Sequence, residues 1–262
     1  GWPMSRHLAM LTVVALGCAG RRLPRSEVDQ PPIWSTREGR DDTRVELAEA
    51  LIDANAPEAA LEMIAGLRAD GATSSELDRV HSRALREVGL FDDAQDVLNV
   101  SLRRHSRDGA LYNELGILQM DRQEVTEAIR SFESATRYTP DNADFQNNLG
   151  FARMSGGDAE GALVPLRAAL KIDSTSRQTR NNLGFALAAL GRDKEAWRVF
   201  RASTSEADAH YNLGLSRELR GDPTAARDAY ISALKVQPDH RSATDALARL
   251  AAGPQPEVPH AP

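Results

Sequence analysis

A 34-residue beat runs from Asp41 almost to the end of this 262-residue chain. Leu115-Gly116, Leu149-Gly150 and Leu183-Gly184 follow one another at 34 residues, and Leu213-Gly214 comes after 30. Twelve residues after each Gly stands Ala128, Ala162, Ala196 or Ala226, and four further on Phe132, Leu166, Phe200 or Tyr230. Pro140 and Pro238, each followed by Asp, close two of the units. Small, small, then large at these offsets predicts a helix–turn–helix unit whose helices cross closely at Gly and Ala. One such unit cannot bury its apolar face alone, so the period predicts an all-α stacked solenoid, an architecture that serves as a binding surface.

These residues resemble the tetratricopeptide repeats (TPR), with Leu-Gly at positions 7 and 8 of a unit, Gly or another small residue at 15, Ala at 20, a large residue at 24 and Pro at 32. The same register, stepped backwards, finds Ser82, Leu85, Gly89, Ala94, Leu98 and Ser101 in unit 75–108, and Leu47, Ala48, Leu51, Ala60 and Ile64 in unit 41–74. The resemblance implies a right-handed solenoid of about six repeats over 41–240 (41–74, 75–108, 109–142, 143–176, 177–206, 207–240). Gln119, Arg153, Leu187 and Arg217 replace the Tyr frequent at position 11. Unit 177–206 lacks four residues and ends in the polar run Ser203-Thr204-Ser205-Glu206, which predicts a short second helix and a weak junction. Ala243, Leu247 and Leu250 predict an amphipathic capping helix over 241–252, and four prolines in 253–262 read as a disordered tail.

The N-terminus reads as an address. Arg6 and His7 precede an apolar run of ten residues, Leu8 to Gly17, too short to span a bilayer but suited to a signal-peptide core over 1–17. Gly1-Trp2-Pro3 precede Met4 and read as a scar or an over-long gene start. Cys18, the chain's one cysteine, closes the run Ala15-Leu16-Gly17-Cys18, which resembles the lipobox of bacterial lipoproteins. That resemblance implies lipidation at Cys18, and Ala19 in place of Asp implies sorting to the outer membrane, facing the periplasm. A plain secretory signal with an incidental cysteine is the competing reading. Residues 18–40, rich in Arg, Pro, Ser and charge without apolar period, read as a tether.

Composition and motifs argue against chemistry. The net charge is −6 and no Lys/Arg cluster interleaves with aromatics, so nucleic acid is not the expected partner. His7, His81, His105, His210, His240 and His260 form no metal-binding spacing, and no glycine pattern cradles a phosphate. The expectation is a protein with no catalytic residue, no cofactor, no metal and no small-molecule substrate. Asp41-Asp42 and Asp92-Asp93 read as charges complementing helix dipoles.

The first helix of each unit carries the candidate site. Positions 5, 9 and 12 share one helix face, which in the TPR family lines the concave groove. Position 5 reads Asn113, Asn147, Asn181, Tyr211 down units three to six, and position 6 reads Glu114, Asn148, Asn182, Asn212. Position 9 reads Ile117, Phe151, Phe185, Leu215, and position 12 reads Met120, Met154, Ala188, Glu218. A carboxamide both donates and accepts, so a solvent-open ladder of them can pair with the backbone of an extended peptide beside apolar pockets. The competing reading is that Asn at positions 5 and 6 makes local helix–helix hydrogen bonds. In units one and two the face reads Val45, Glu49, Ile52 and then Arg79, Arg83, Arg86, an arginine row that meets an acidic partner or is merely solvated.

The architecture with an acylated N-terminus is similar to two sets of proteins, the pilotin lipoproteins of type IV pilus secretins and the TPR lipoproteins of tight-adherence (Tad/Flp) pilus assembly. The run Asn181-Asn182-Leu183-Gly184-Phe185-Ala186-Leu187 is similar to repeats of the second set. Both imply a scaffold that assists assembly of an envelope subunit; the alternative is a general envelope adaptor docking peptidoglycan enzymes or proteases.

Overall fold

The structure, a computed structural model, describes residues 37–252. Among the described residues the chain forms thirteen α-helices and no strand. Six hairpins follow one another: α1 (Arg37–Asp53) with α2 (Pro57–Ala69), α3 (Ser75–Glu87) with α4 (Phe91–Arg104), α5 (Gly109–Asp121) with α6 (Val125–Tyr138), α7 (Ala143–Ser155) with α8 (Ala159–Ile172), α9 (Arg177–Ala189) with α10 (Asp193–Arg201), and α11 (Glu206–Leu219) with α12 (Pro223–Val236). The last helix, α13 (Arg241–Ala252), packs on α12 through Ala243 and Ala246. The expected signal segment, Cys18, most of the expected tether and the 253–262 tail lie outside the described residues. Residues 37–40, expected to belong to the tether, are helical instead, because α1 already begins at Arg37. That first turn carries charge and no apolar residue, so periodicity gives no sign of it. No helix of the described residues is long and apolar enough to cross a membrane.

Each helix starts and stops for local reasons. Ser74, Asp108, Asn142 and Ser176, each just before a unit, accept a hydrogen bond from a backbone N–H of the first turn they cap. The first helix of every unit ends on a left-handed residue at position 15: Asn55, Gly89, Gln123, Gly157, Gly191 and Gly221. The next N–H then reaches back to the carbonyl five residues earlier, as Asp158 does to Arg153 and Asp222 to Arg217, both at 2.9 Å. This closure satisfies carbonyls the helix end would leave orphaned and turns the chain into the second helix.

Gly at position 8 sets how closely the two helices approach. A Cβ on Gly116 would lie 2.6 Å from the Phe132 ring, and on Gly150 or Gly214 2.5 Å from Leu166 or Tyr230. Gly184 stands in the same relation to Phe200. Phe132, Leu166, Phe200 and Tyr230 are in turn essentially fully buried. Pro165 interrupts α8 without breaking it. It removes the N–H that would bond Gly161 O, and Arg153 supplies a donor there instead at 3.0 Å.

The layers follow from contacts. Each odd-numbered helix from α1 to α9 touches the next odd-numbered one, whereas successive even-numbered helices do not pack on each other to that extent. The stack is therefore tighter on the odd side and curves toward it, making α1, α3, α5, α7, α9 and α11 the concave inner layer. In the short fifth unit α10 has nine residues against fourteen in α8 or α12. The chain compensates by capping α11 at Ser205, so that this inner helix has fourteen residues where α5, α7 and α9 have thirteen.

Candidate binding surface

The inner face carries a carboxamide ladder, and its rungs bond to one another. Asn148 Nδ2 donates to Asn113 Oδ1 and Asn182 Nδ2 donates to Asn147 Oδ1, both at 2.9 Å. Position 6 of one unit thus grips position 5 of the unit before it. The local helix–helix role holds for these four residues, and the expectation of a fully solvent-open ladder is corrected: Asn147 is only 5% exposed. Burial and the bond have one cause, since inner helices of adjacent units touch and a polar group at their seam needs a partner. Each rung still leaves the Nδ2 group of Asn113 or Asn147 and the Oδ1 atom of Asn148 or Asn182 without a protein hydrogen bond.

The short unit breaks the ladder. Asn181 Oδ1 lies 3.0 Å from Ser203 Oγ, at the end of α10, rather than meeting Asn212. The Asn212 carboxamide makes no protein hydrogen bond and is half-buried. Ser203 is a member of this surface that the sequence reading passed over. Its signal was the polar run at the end of the short unit, read there only as a helix stop.

The apolar stripe divides into packing and surface. Ile117 and Met120 pack on the Phe132–Leu149 cluster and Met154 on the Leu166–Leu183 cluster. Phe185 sits edge-on to Phe200, ring centroids 5.1 Å apart. Tyr211 lies against Tyr230 and His240, at 5.6 and 5.5 Å, and so belongs to the last hairpin's core. Leu215 is half-buried. Phe151 alone among these positions is well exposed, at 43%.

The arginine row is paired within the chain. Arg79 bonds Glu49 at 2.8 Å and Glu76 at 2.6 Å, Arg83 bonds Glu49 and Asp53, and Arg86 bonds Glu114 at 3.2 Å and Asp121 at 2.8 Å. Carboxylates from α1 and α5 thus neutralise α3 from both sides. Burial pushes the Glu114 carboxyl up, against the pull of Arg86, Arg79 and Arg83. At position 11, Gln119 accepts from buried Ser131 at 2.6 Å, while Arg217 bonds Ala225 O at 3.1 Å and Asp193 at 2.8 Å. Among the described residues no group of three His, Cys, Asp or Glu side chains is placed to hold a metal ion.

Family models described as tetratricopeptide repeat match residues 79–130, 113–177 and 207–240, together just over half of the chain. No curated protein sequence matches it. Among solved structures it is similar to YrrB, described as a TPR protein with an unusual peptide-binding site, at 25% identity over 66% of this chain and 91% of that one, TM-score 0.54. It is similar to pilF of Pseudomonas aeruginosa at 14% identity over 81% and 99%, TM-score 0.62, and to MamA at 20% over 61% and 96%, TM-score 0.51. The last two likenesses show the fold alone.

Proposed function

We propose, from the premise that this chain belongs to the tetratricopeptide-repeat family, that it is a non-catalytic scaffold holding a protein or extended peptide along its inner face. The observation that carries this reading is Phe151, a large aromatic left 43% exposed one helical turn from the Asn147–Asn182 rung. A packing role would have buried it, and the same helix buries Phe145, Leu149 and Ala152. Amide groups with unused hydrogen-bonding capacity beside an exposed ring suit a peptide backbone bearing apolar side chains. The peptide-binding site of the similar YrrB supports the reading.

The cellular setting rests on the sequence. Gly17-Cys18 after a short apolar core supports a lipid anchor at Cys18 and a place in the bacterial envelope, at the outer membrane facing the periplasm. In that setting the scaffold assists pilus or secretin assembly. A general envelope adaptor for peptidoglycan enzymes or proteases fits the same surface.

Two measurements test this. A palmitate analogue labels the wild type and leaves Cys18→Ser unlabelled; equal labelling removes the anchor. Phe151→Ala loses captured envelope proteins in a pull-down while its melting temperature stays within about 2 °C of wild type, since an exposed side chain contributes little to folding. Unchanged capture contradicts a binding role for the inner face.

A further inference from the structure

The short fifth unit opens a second surface, away from the inner face. Position 21 of a unit is aliphatic and packed on the core in the two units before it, at Ile129 and Leu163. In unit five it is Trp197, which packs on the Leu166–Leu183 cluster and leaves part of its ring uncovered. Helix α10 stops after nine residues, where α6 and α8 run for fourteen. Between α10 and α11 lies a pocket of about 410 Å³, with Trp197, His210 and Leu213 as its apolar lining and Lys194, Arg198 and Arg217 as its cationic one. His210, Leu213 and Arg217 stand at positions 4, 7 and 11 of their unit, a different face of α11 from the groove positions 5, 9 and 12.

Charge in this pocket is unbalanced. Asp193 is the carboxylate in its wall, and both oxygens are taken, Oδ2 by Arg217 at 2.8 Å and Oδ1 by Arg220 at 2.7 Å. Glu195 nearby gives both of its oxygens to Arg192, each at 2.8 Å. Among the described residues neither Lys194 nor Arg198 makes a hydrogen bond or an ion pair. They lie four residues apart on α10 and so share a face with Trp197. The His210 ring is 5.9 Å from Trp197, and burial holds it below the ordinary histidine range, so at neutral pH it adds a wall rather than a charge. Trp197 Nε1 is buried without an acceptor, so the ring offers the pocket its carbon surface.

Rings and a leucine beneath two unpaired cations suit an apolar side chain with carboxylates beside it. The rings take the side chain, and the ammonium and guanidinium groups take the carboxylates. A free small molecule is normally enclosed over most of its surface, whereas Lys194 and Arg198 are exposed at the rim. That open rim suits a segment of a larger partner, held by its flanks as well. We propose that the α10–α11 pocket is a docking site for an acidic segment of a partner protein, whose large apolar side chain sits against Trp197 and His210 while flanking carboxylates meet Lys194 and Arg198. The inference is independent of the inner-face reading.

The test uses the full chain and a fluorescent peptide with a Glu-Phe-Glu core, followed by anisotropy, with a Gln-Phe-Gln peptide as control. The wild type binds the acidic probe about tenfold more tightly than the control, because each exposed charge pair contributes up to a few-fold. Added salt narrows that preference. Lys194→Gln and Arg198→Gln together abolish it, with a melting temperature within about 2 °C of wild type because both side chains are exposed. Lys194→Arg with Arg198→Lys retains it. No saturable binding up to roughly millimolar probe, equal affinity for the two peptides, or an undiminished preference in the double Gln variant overturns the inference. Displacement by inorganic phosphate at the probe's own concentration also overturns it, reducing the pocket to a general anion patch. If Phe151→Ala loses the probe while the double Gln variant keeps it, the probe reads the inner groove and the pocket inference alone falls.

Discussion

Gln123 holds a left-handed backbone, φ 63°, at the turn where four of the six units have glycine. Its Cβ costs about 1–2 kcal/mol there, partly offset by the entropy glycine loses on folding, about 0.5–1 kcal/mol. Gln123→Gly therefore raises stability by roughly 0.5–1 kcal/mol in urea denaturation, with an unchanged slope. A loss of stability would mean the side chain makes a contact that outweighs the turn. Asn147 is the second residue whose role the structure defines. Asn147→Ala leaves Asn182 Nδ2 without its 2.9 Å acceptor at a buried seam, and lowers stability by about 1–2 kcal/mol. The same change at Asn212, whose carboxamide makes no protein hydrogen bond, leaves stability within about 0.5 kcal/mol. Equal effects at the two sites would contradict the ladder geometry. The sequence could not separate these roles, because an amide at position 5 looks the same whether it meets a neighbour 35 residues away or a ligand.

Among the helices, α10 stands apart. Losing four residues shortens it to nine and leaves Ser203 and Thr204, whose hydroxyls sit 3.0 Å from Phe200 O, to finish the turn. Asp193 at its start makes good the lost packing, bonding Arg217 at 2.8 Å and Arg220 at 2.7 Å on α11. Burial pushes the Asp193 carboxyl up, but the two guanidinium groups outweigh it and hold the group below the ordinary carboxylate range. A depressed carboxylate contributes its stability above its ordinary value, near pH 4, and loses it as pH falls through the folded value. The stability gap between wild type and Asp193→Asn is accordingly widest at neutral pH and closes below about pH 4. Hydrogen exchange at neutral pH shows Ser203–Ala209 opening before Phe132–Leu166, and earlier still in Asp193→Asn. A gap that does not change with pH would remove the ion pair from the junction. The shortened helix was legible in the spacing, because Leu213-Gly214 arrives four residues early. The extra residue of α11 and the bridge at Asp193 were not, since both are answers to a packing gap that exists only once the units stack.

On the scale of the whole molecule, folding and the proposed binding use different faces of the same inner helices. Gly116, Gly150, Gly184 and Gly214 turn toward their partner helices and fix the stack, and the period they mark in the sequence predicted the all-α solenoid. The opposite face was legible only as a list of positions. Packing claims Ile117, Met120, Met154, Phe185 and Tyr211 in part, and ion pairs claim the arginine row, because side chains long enough to reach a groove also reach the neighbouring unit. Phe151 remains as the exposed ring on the concave side, and Val164 on α8, 73% exposed, marks the convex side. A photo-crosslinking amino acid placed at residue 151 and, separately, at residue 164 of the full chain in its native cells distinguishes the two faces directly. Crosslinks from 151 to a discrete protein partner, absent from 164, are the expected result; matching products from both positions, or products from 164 alone, would contradict a peptide-binding inner face.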